Sequence, residues 1–293
     1  MTQLLKENKM KKLLVLLLIC FLLVGCDFVD DFSDRYLYTT SYPIEYAADV
    51  LYGEYATVAS AYPNGANETY EVTDKKKEKY ATAETFIYSG ISGEASLARD
   101  ILNKNSKLKL IDATKGIKST DSFTSVWLNP SNYLMLCSNI KSSLIDYTDN
   151  IYVKEAIEEN YKKLNEQVSE LDVELYDIGK NGNYNTLLAT SDVFNYLSKY
   201  NINVIAINSD NEQIDKSYSD AKKLIADKKI QYIYILSGQT LDENQEKLIA
   251  ENNLIKVEIN DLFTLTDEER TAGSNYISLM KETIENYKKE LYK

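Results

Sequence analysis

The sequence runs to 293 residues, with a formal net charge of −12 and no histidine. That charge repels phosphate backbones and argues against nucleic-acid binding. Without imidazole neither a Ser–His–Asp triad nor a Cys–His pair can form, and no G-x-S-x-G, Walker or dinucleotide fingerprint occurs, so the chain reads as no enzyme.

The N-terminus reads as a secretory signal. Lys6, Lys9, Lys11 and Lys12 precede an apolar run from Leu13 to Val24 that is too short for a comfortable membrane span. The run ends in Leu23-Val24-Gly25-Cys26, which resembles a bacterial lipobox. In that reading Cys26 is acylated, becomes the mature N-terminus, and anchors the protein at the extracytoplasmic face of the cell membrane. The plainer alternative is an ordinary signal peptide with an incidental cysteine. Residues 1–25 are therefore assigned to the signal, and the acidic, aperiodic residues 26–36 to a tether. Cys20 leaves with the signal and Cys137 is a lone thiol, so no disulfide framework holds the fold.

Strands and helices then alternate. Strands are predicted at Tyr36 to Tyr42, Ala56 to Tyr62, Thr85 to Tyr88 and Leu108 to Asp112. Helices are predicted at Ile44 to Tyr52, Asp74 to Ala81 and Leu97 to Asn103, with a turn at Pro63-Asn64-Gly65. Ser125 to Leu128 reads as a short strand stopped by Asn129-Pro130, which opens a turn. From Ile151 to Leu175 there is no Gly or Pro, and Ile157, Tyr161, Leu164, Val168, Leu171 and Leu175 recur at spacings of three or four. That is one long amphipathic helix. The rhythm then resumes with strands at Thr186 to Thr190, Val204 to Ile207, Tyr232 to Leu236 and Lys256 to Ile259. Helices are predicted at Asp192 to Tyr200, Ser217 to Asp227, Leu241 to Asn252 and Ser274 to Leu291. The fold class is α/β, two βα lobes with mainly parallel sheets joined by one long rigid helix. The lobes are placed at residues 37–149 and 180–293, and the connector at 150–179.

Ligands of open α/β sheets bind beyond the carboxyl ends of the strands. The polar residues there are Asn67, Glu68, Ser125, Thr190, Ser191, Ser237, Asn260 and Asp261. They supply hydroxyls, amides and carboxylates, and two lobes can bring them to one cleft.

These strand ends carry a resemblance. Residues 37–62, LYTTSYPIEYAADVLYGEYATVASAY, are similar to the first strand, helix and second strand of the TroA-like family (cluster A-I), the zinc/manganese solute-binding lipoproteins of bacterial ABC importers. ETYEVT (68–73) resembles the family's His-x-Tyr-Glu-Pro-Thr, and SVWLNP (125–130) its His-x-Trp-Leu-Asp-Pro. SDVFNYLSKYNI (191–202) resembles its His-Asp-Ala-Phe-Gly-Tyr helix start, and NYISLMKETIENYKKEL (275–291) its closing helix. The resemblance covers the mature chain in order. It implies a lipoprotein that delivers a divalent metal to an ABC permease and its ATPase, through small lobe shifts rather than a wide clamshell.

The departures lie in the ligands. Imidazoles and carboxylates from both lobes bind metal in the family. Here Glu68 stands at the first histidine position, Ser125 at the second and Ser191 at the third, while the fourth, an aspartate, falls on Asn260 or Asp261. The motif aspartate has become Asn129, and in place of a long histidine-rich loop residues 113–122 are short and polar. Serine is a poor zinc ligand, so Glu68 and Asp261 are the metal-ligand candidates, suited to a harder cation. The competing reading is a surface lipoprotein that binds no metal and uses the scaffold for another solute or a protein partner. Tyr42, Tyr70 and Tyr196 are candidates for stacking an organic ligand, or else core and rim residues.

Overall fold

The computed structural model describes residues 35–118, 124–208 and 213–293. The signal, Cys26 and most of the tether lie outside them. The described residues belong to one compact unit.

Each lobe is built on a four-stranded parallel sheet. The first has strands β1 (Tyr36–Thr39), β2 (Thr57–Ser60), β3 (Thr85–Tyr88) and β4 (Lys109–Asp112) in the order β2-β1-β3-β4. The second has β5 (Thr186–Ala189), β6 (Asn203–Ala206), β7 (Tyr232–Leu236) and β8 (Ile255–Ile259) in the order β6-β5-β7-β8. Register runs from Tyr36 opposite Thr57 and Leu37 opposite Thr85 to Leu188 opposite Ile233 and Tyr232 opposite Ile255. Both orders reverse beside the first strand of the lobe, which opens a crevice at the strand ends.

Helices α1 (Tyr42–Tyr52), α2 (Asp74–Tyr80) and α3 (Glu94–Lys104) connect the first sheet, and α7 (Ile214–Ala226) and α8 (Glu243–Asn252) the second. Phe86, Tyr38, Tyr80 and Ile101 form the first core, and Leu188, Ile233, Ile205 and Leu248 the second. Burial of these apolar groups supplies the stability that no disulfide provides. Cys137 is buried and unpaired.

Residues 125–128 overturn a prediction. Ser125–Leu128 is a single helical turn, α4, and not a strand. β4 is the edge of its sheet, and the backbone of 125–128 pairs locally instead, Leu128 N donating to Thr124 O and Asn129 N to Ser125 O. Asn129-Pro130 does not merely make a turn. The Asn129 side chain accepts from Ser131 N and Pro130 opens the helix α5 (Pro130–Tyr147), which the prediction lacked. Pro costs nothing at the first helical position, where its missing N–H would have no partner. Tyr133, Leu136, Cys137, Ile140 and Leu144 then form its buried stripe.

The connecting helix, α6 (Ile151–Asn181), runs six residues past the predicted Leu175. Asn150 caps it by accepting from Tyr152 N and Val153 N, and Val153, Ile157, Leu164, Val168, Leu171, Leu175 and Ile178 are buried along it. At 1.5 Å per residue it is about 46 Å long. It packs against α1, α5 and the closing helix α9 (Tyr276–Leu291), so it touches both lobes. Asp192–Tyr200 is the tighter 3₁₀ form rather than an α-helix, closed by Asn201 in the left-handed region at φ 62°.

Candidate functional site

Four strand ends supply the site. The loop after β2 turns at Gly65 (φ 72°) and carries Glu68. It is bonded to the segment after β8, because Gly65 N donates to Leu265 O at 3.0 Å and Thr264 Oγ1 to Ala66 O at 2.7 Å. Tyr42 N, just past β1, donates to Phe263 O at 2.8 Å. Segment 263–265 of the second lobe is thus fastened to the first beside Glu68.

Asn260 and Asp261 follow β8, and the structure separates their roles. Asn260 Oδ1 accepts from Leu262 N at 2.7 Å, while its amide donates to Glu269 Oε1. Asp261 Oδ1 accepts from Phe263 N at 2.9 Å. Two successive side-chain turns therefore hold Leu262 at φ 60°, a conformation costly for a branched residue. Asp261 carries the one charge of the pair, and that charge raises the Glu68 carboxyl.

Glu68 Oε1 accepts from Thr124 Oγ1 at 3.1 Å. Loss of hydration pushes the Glu68 carboxyl above its ordinary range, the Thr124 bond opposes this, and the charge of Asp261 adds to the rise. Burial likewise pushes Asp261 up, against the bond from Phe263 N, and the charge of Glu269 adds to the rise. Carboxylates held in so poorly hydrated a place favour a nearby cation or a bound proton.

Ser125 opens the turn α4 and is buried, and that turn packs against the 3₁₀ helix that Ser191 caps. Ser191 Oγ accepts from Val193 N at 3.2 Å, so one of its lone pairs is already committed to the cap. Trp127, fully buried, donates from Nε1 to Asp261 O at 2.7 Å, and its own carbonyl accepts from Tyr276 OH at 2.6 Å. Thus Trp127 holds the aspartate loop of the second lobe against the turn bearing Ser125. Asn129 faces away from the carboxylates, toward a cluster in which Asp172 of the connecting helix accepts from Tyr200 OH, Lys199 Nζ and Ser131 Oγ.

The other predicted residues divide. Thr190 Oγ1 donates to Gln239 Oε1 at 2.7 Å, Asn67 Oδ1 accepts from Thr69 in a local turn, and Ser237 N donates to Ile259 O at the end of the β7–β8 pair. Tyr196 is core, its hydroxyl 3.0 Å from that of Tyr287, and Tyr42 is buried beneath the Arg270 guanidinium. Only Tyr70 of the three borders Glu68, in a groove of about 580 Å³ also lined by Tyr62, Glu94, Lys77 and Phe263. Thr124, Glu94 and Phe263 escaped the sequence reading. Thr124 adjoins Ser125 and could have been suspected, whereas nothing in the local wording marks the other two.

A family model described as zinc-uptake complex component A, periplasmic (ZnuA), matches residues 37–290. The chain belongs to the ZnuA family. Two zinc-binding lipoproteins AdcA of Streptococcus pneumoniae, from strains R6 and TIGR4, are each 27% identical to it over 315 aligned residues, covering 95% of this ZnuA-family chain and 61% of AdcA. The chain therefore spans about three fifths of the length of those relatives. Its fold matches the Zn(II)-bound ZnuA-like domain of S. pneumoniae AdcA with a TM-score of 0.73 at 24% identity, covering 88% of this chain and 99% of that domain. The metal-dependent lipoprotein YcdH of Bacillus subtilis matches with a TM-score of 0.74 at 21% identity, covering 88% and 99%. Among the described residues no helix is long and apolar enough to cross a membrane.

Proposed function

We propose that this ZnuA-family chain is the extracytoplasmic solute-binding lipoprotein of a metal importer. Acylated Cys26 holds it to the membrane, and it hands a divalent cation to an ABC permease driven by its ATPase. What supports this reading is that Glu68 of the first lobe and Asp261 of the second carry carboxylates whose charges interact, and that Trp127 joins the lobes by donating to Asp261 O. Their two charges balance a divalent cargo. The hydroxyls of Ser125 and Ser191 stand at the other two positions, and Thr124 steadies Glu68.

A donor set made only of oxygens favours a hard, partly hydrated cation such as Mn²⁺ over Zn²⁺. Among the described residues no three Cys, Asp or Glu side chains gather as a metal-binding group. Backbone carbonyls, hydroxyls and water complete the coordination, and capture is weaker than in an imidazole-rich site. Calorimetric titration of the mature protein tests this. Mn²⁺ should give saturable heat, Zn²⁺ a weaker response, and Glu68→Ala should abolish both. No response to Zn²⁺, Mn²⁺, Fe²⁺, Ca²⁺ or Mg²⁺ at micromolar concentration would refute the metal reading and leave a scaffold serving a non-metal solute or a protein partner.

A further inference from the structure

We infer that the end of the first lobe where its strands begin is a lipid-contacting surface that seats the anchored protein on the bilayer. Because β1 to β4 run parallel, they all start at one end of the sheet. The first row there passes from Thr57 to Tyr36, then through Glu84, whose N–H donates to Tyr36 O, to Lys109, whose N–H donates to Glu84 O. The turn between α5 and α6 closes the same end. Lys109 Nζ donates to Tyr147 O at 2.8 Å and Tyr147 OH to Leu110 O at 3.0 Å.

Large apolar side chains stand in solvent at this end. Tyr152 is 77% exposed, Ile151 58%, Tyr36 45% and Tyr147 37%. Tyr36 and β4 are two strands apart, about 10 Å at normal strand spacing. Tyrosine, with an apolar ring and a polar tip, suits the boundary between water and lipid.

The point where the chain enters the lobe names the occupant. β1 begins at Tyr36, and Cys26 lies ten residues before it. Even fully extended, ten residues reach only about 35 Å. An acylated Cys26 therefore keeps this end of the sheet near the headgroups and turns a weak apolar contact into an intramolecular one. The inference rests on the acylation of Cys26 proposed above.

The test uses the acylated full-length protein in phosphatidylcholine vesicles. An environment-sensitive fluorophore is placed at Asp149→Cys beside the patch, or at Glu251→Cys on the second lobe, both exposed positions. Cys137 is fully buried and its thiol pushed up by that burial, so it does not compete for label. A lipid-borne quencher should extinguish the label at 149 and spare the one at 251. Adding Ile151→Ser and Tyr152→Ser should reduce quenching at 149 to the level at 251. Equal quenching at both positions, or quenching that survives the serine pair, overturns the surface. Protein that floats with vesicles while its label at 149 stays unquenched refutes this surface alone, whereas protein that does not float refutes the anchor and the surface together. A dimer in solution that the serine pair dissolves would assign the patch to a second copy of the chain and overturn the lipid assignment.

Discussion

Trp127→Phe separates the packing of the one tryptophan from its role in holding the aspartate loop. Trp127 has no exposed surface, and its Nε1–H is the donor to Asp261 O at 2.7 Å. Phenylalanine keeps most of the ring contact but leaves that carbonyl without this donor, at a cost of about 1–3 kcal/mol. The void left by the smaller ring is roughly 40 Å³, and at about 24 cal/mol per Å³ it adds about 1 kcal/mol. The expected loss is therefore about 3 kcal/mol. With a urea slope of about 3 kcal/mol per molar, the midpoint should fall by about 1 M at unchanged slope. Far-UV circular dichroism is the readout, since the substitution removes the only tryptophan. Because Asp261 sits in the released loop, Mn²⁺ affinity should fall with it. A loss below about 1 kcal/mol with full Mn²⁺ affinity would show that Trp127 neither supports the Asp261 carbonyl nor fixes the loop, and would refute the reasoning.

Two further substitutions probe the frame around the site. Glu94 is buried under the groove, accepting from Tyr62 OH at 3.2 Å and Ser89 N at 2.8 Å, and burial pushes its carboxyl up from 4.5 to about 7. The native state then binds more protons than the unfolded one between those values, so this group's share of stability, about 3 kcal/mol, is present below pH 4.5 and lost as pH rises to 7. Glu94→Gln should remove that slope in urea unfolding at pH 5 and pH 7.5, and parallel profiles for the two proteins would contradict it. Gly179→Ala would place a Cβ 1.8 Å from the carbonyl oxygen of Tyr200. Helix propensity favours alanine by about 1 kcal/mol, but forcing the connecting helix from the second lobe costs about 3 kcal/mol, so the melting temperature should drop. A rise in melting temperature would mean the two elements separate freely.

The motif positions were legible because wording and order survive where the residues between them have changed. Glu68, Ser125, Ser191 and Asp261 were marked by the motifs around them, and the structure puts Glu68, Ser191 and Asp261 just after β2, β5 and β8 and Ser125 at the start of α4. What the wording could not give was partnership. Thr124 bonds Glu68 across 56 residues of chain, and Trp127 bonds Asp261 across 134. Asn260 and Asp261 are neighbours of similar size, and only backbone geometry around Leu262 turns the Asn260 amide to Glu269 and the Asp261 carboxylate to Phe263 N.

The alternation of strands and helices, the long connector and the two-lobed class could be read from the amino acids alone, because hydrophobic period is a local property that every few residues restate. They determined too that no imidazole can enter the site. The tertiary structure decided that SVWL coils instead of pairing, since a strand needs a neighbour that sequence cannot supply. It also decided which charges interact, because a field between two charges depends on the distance that folding sets and not on their separation along the chain.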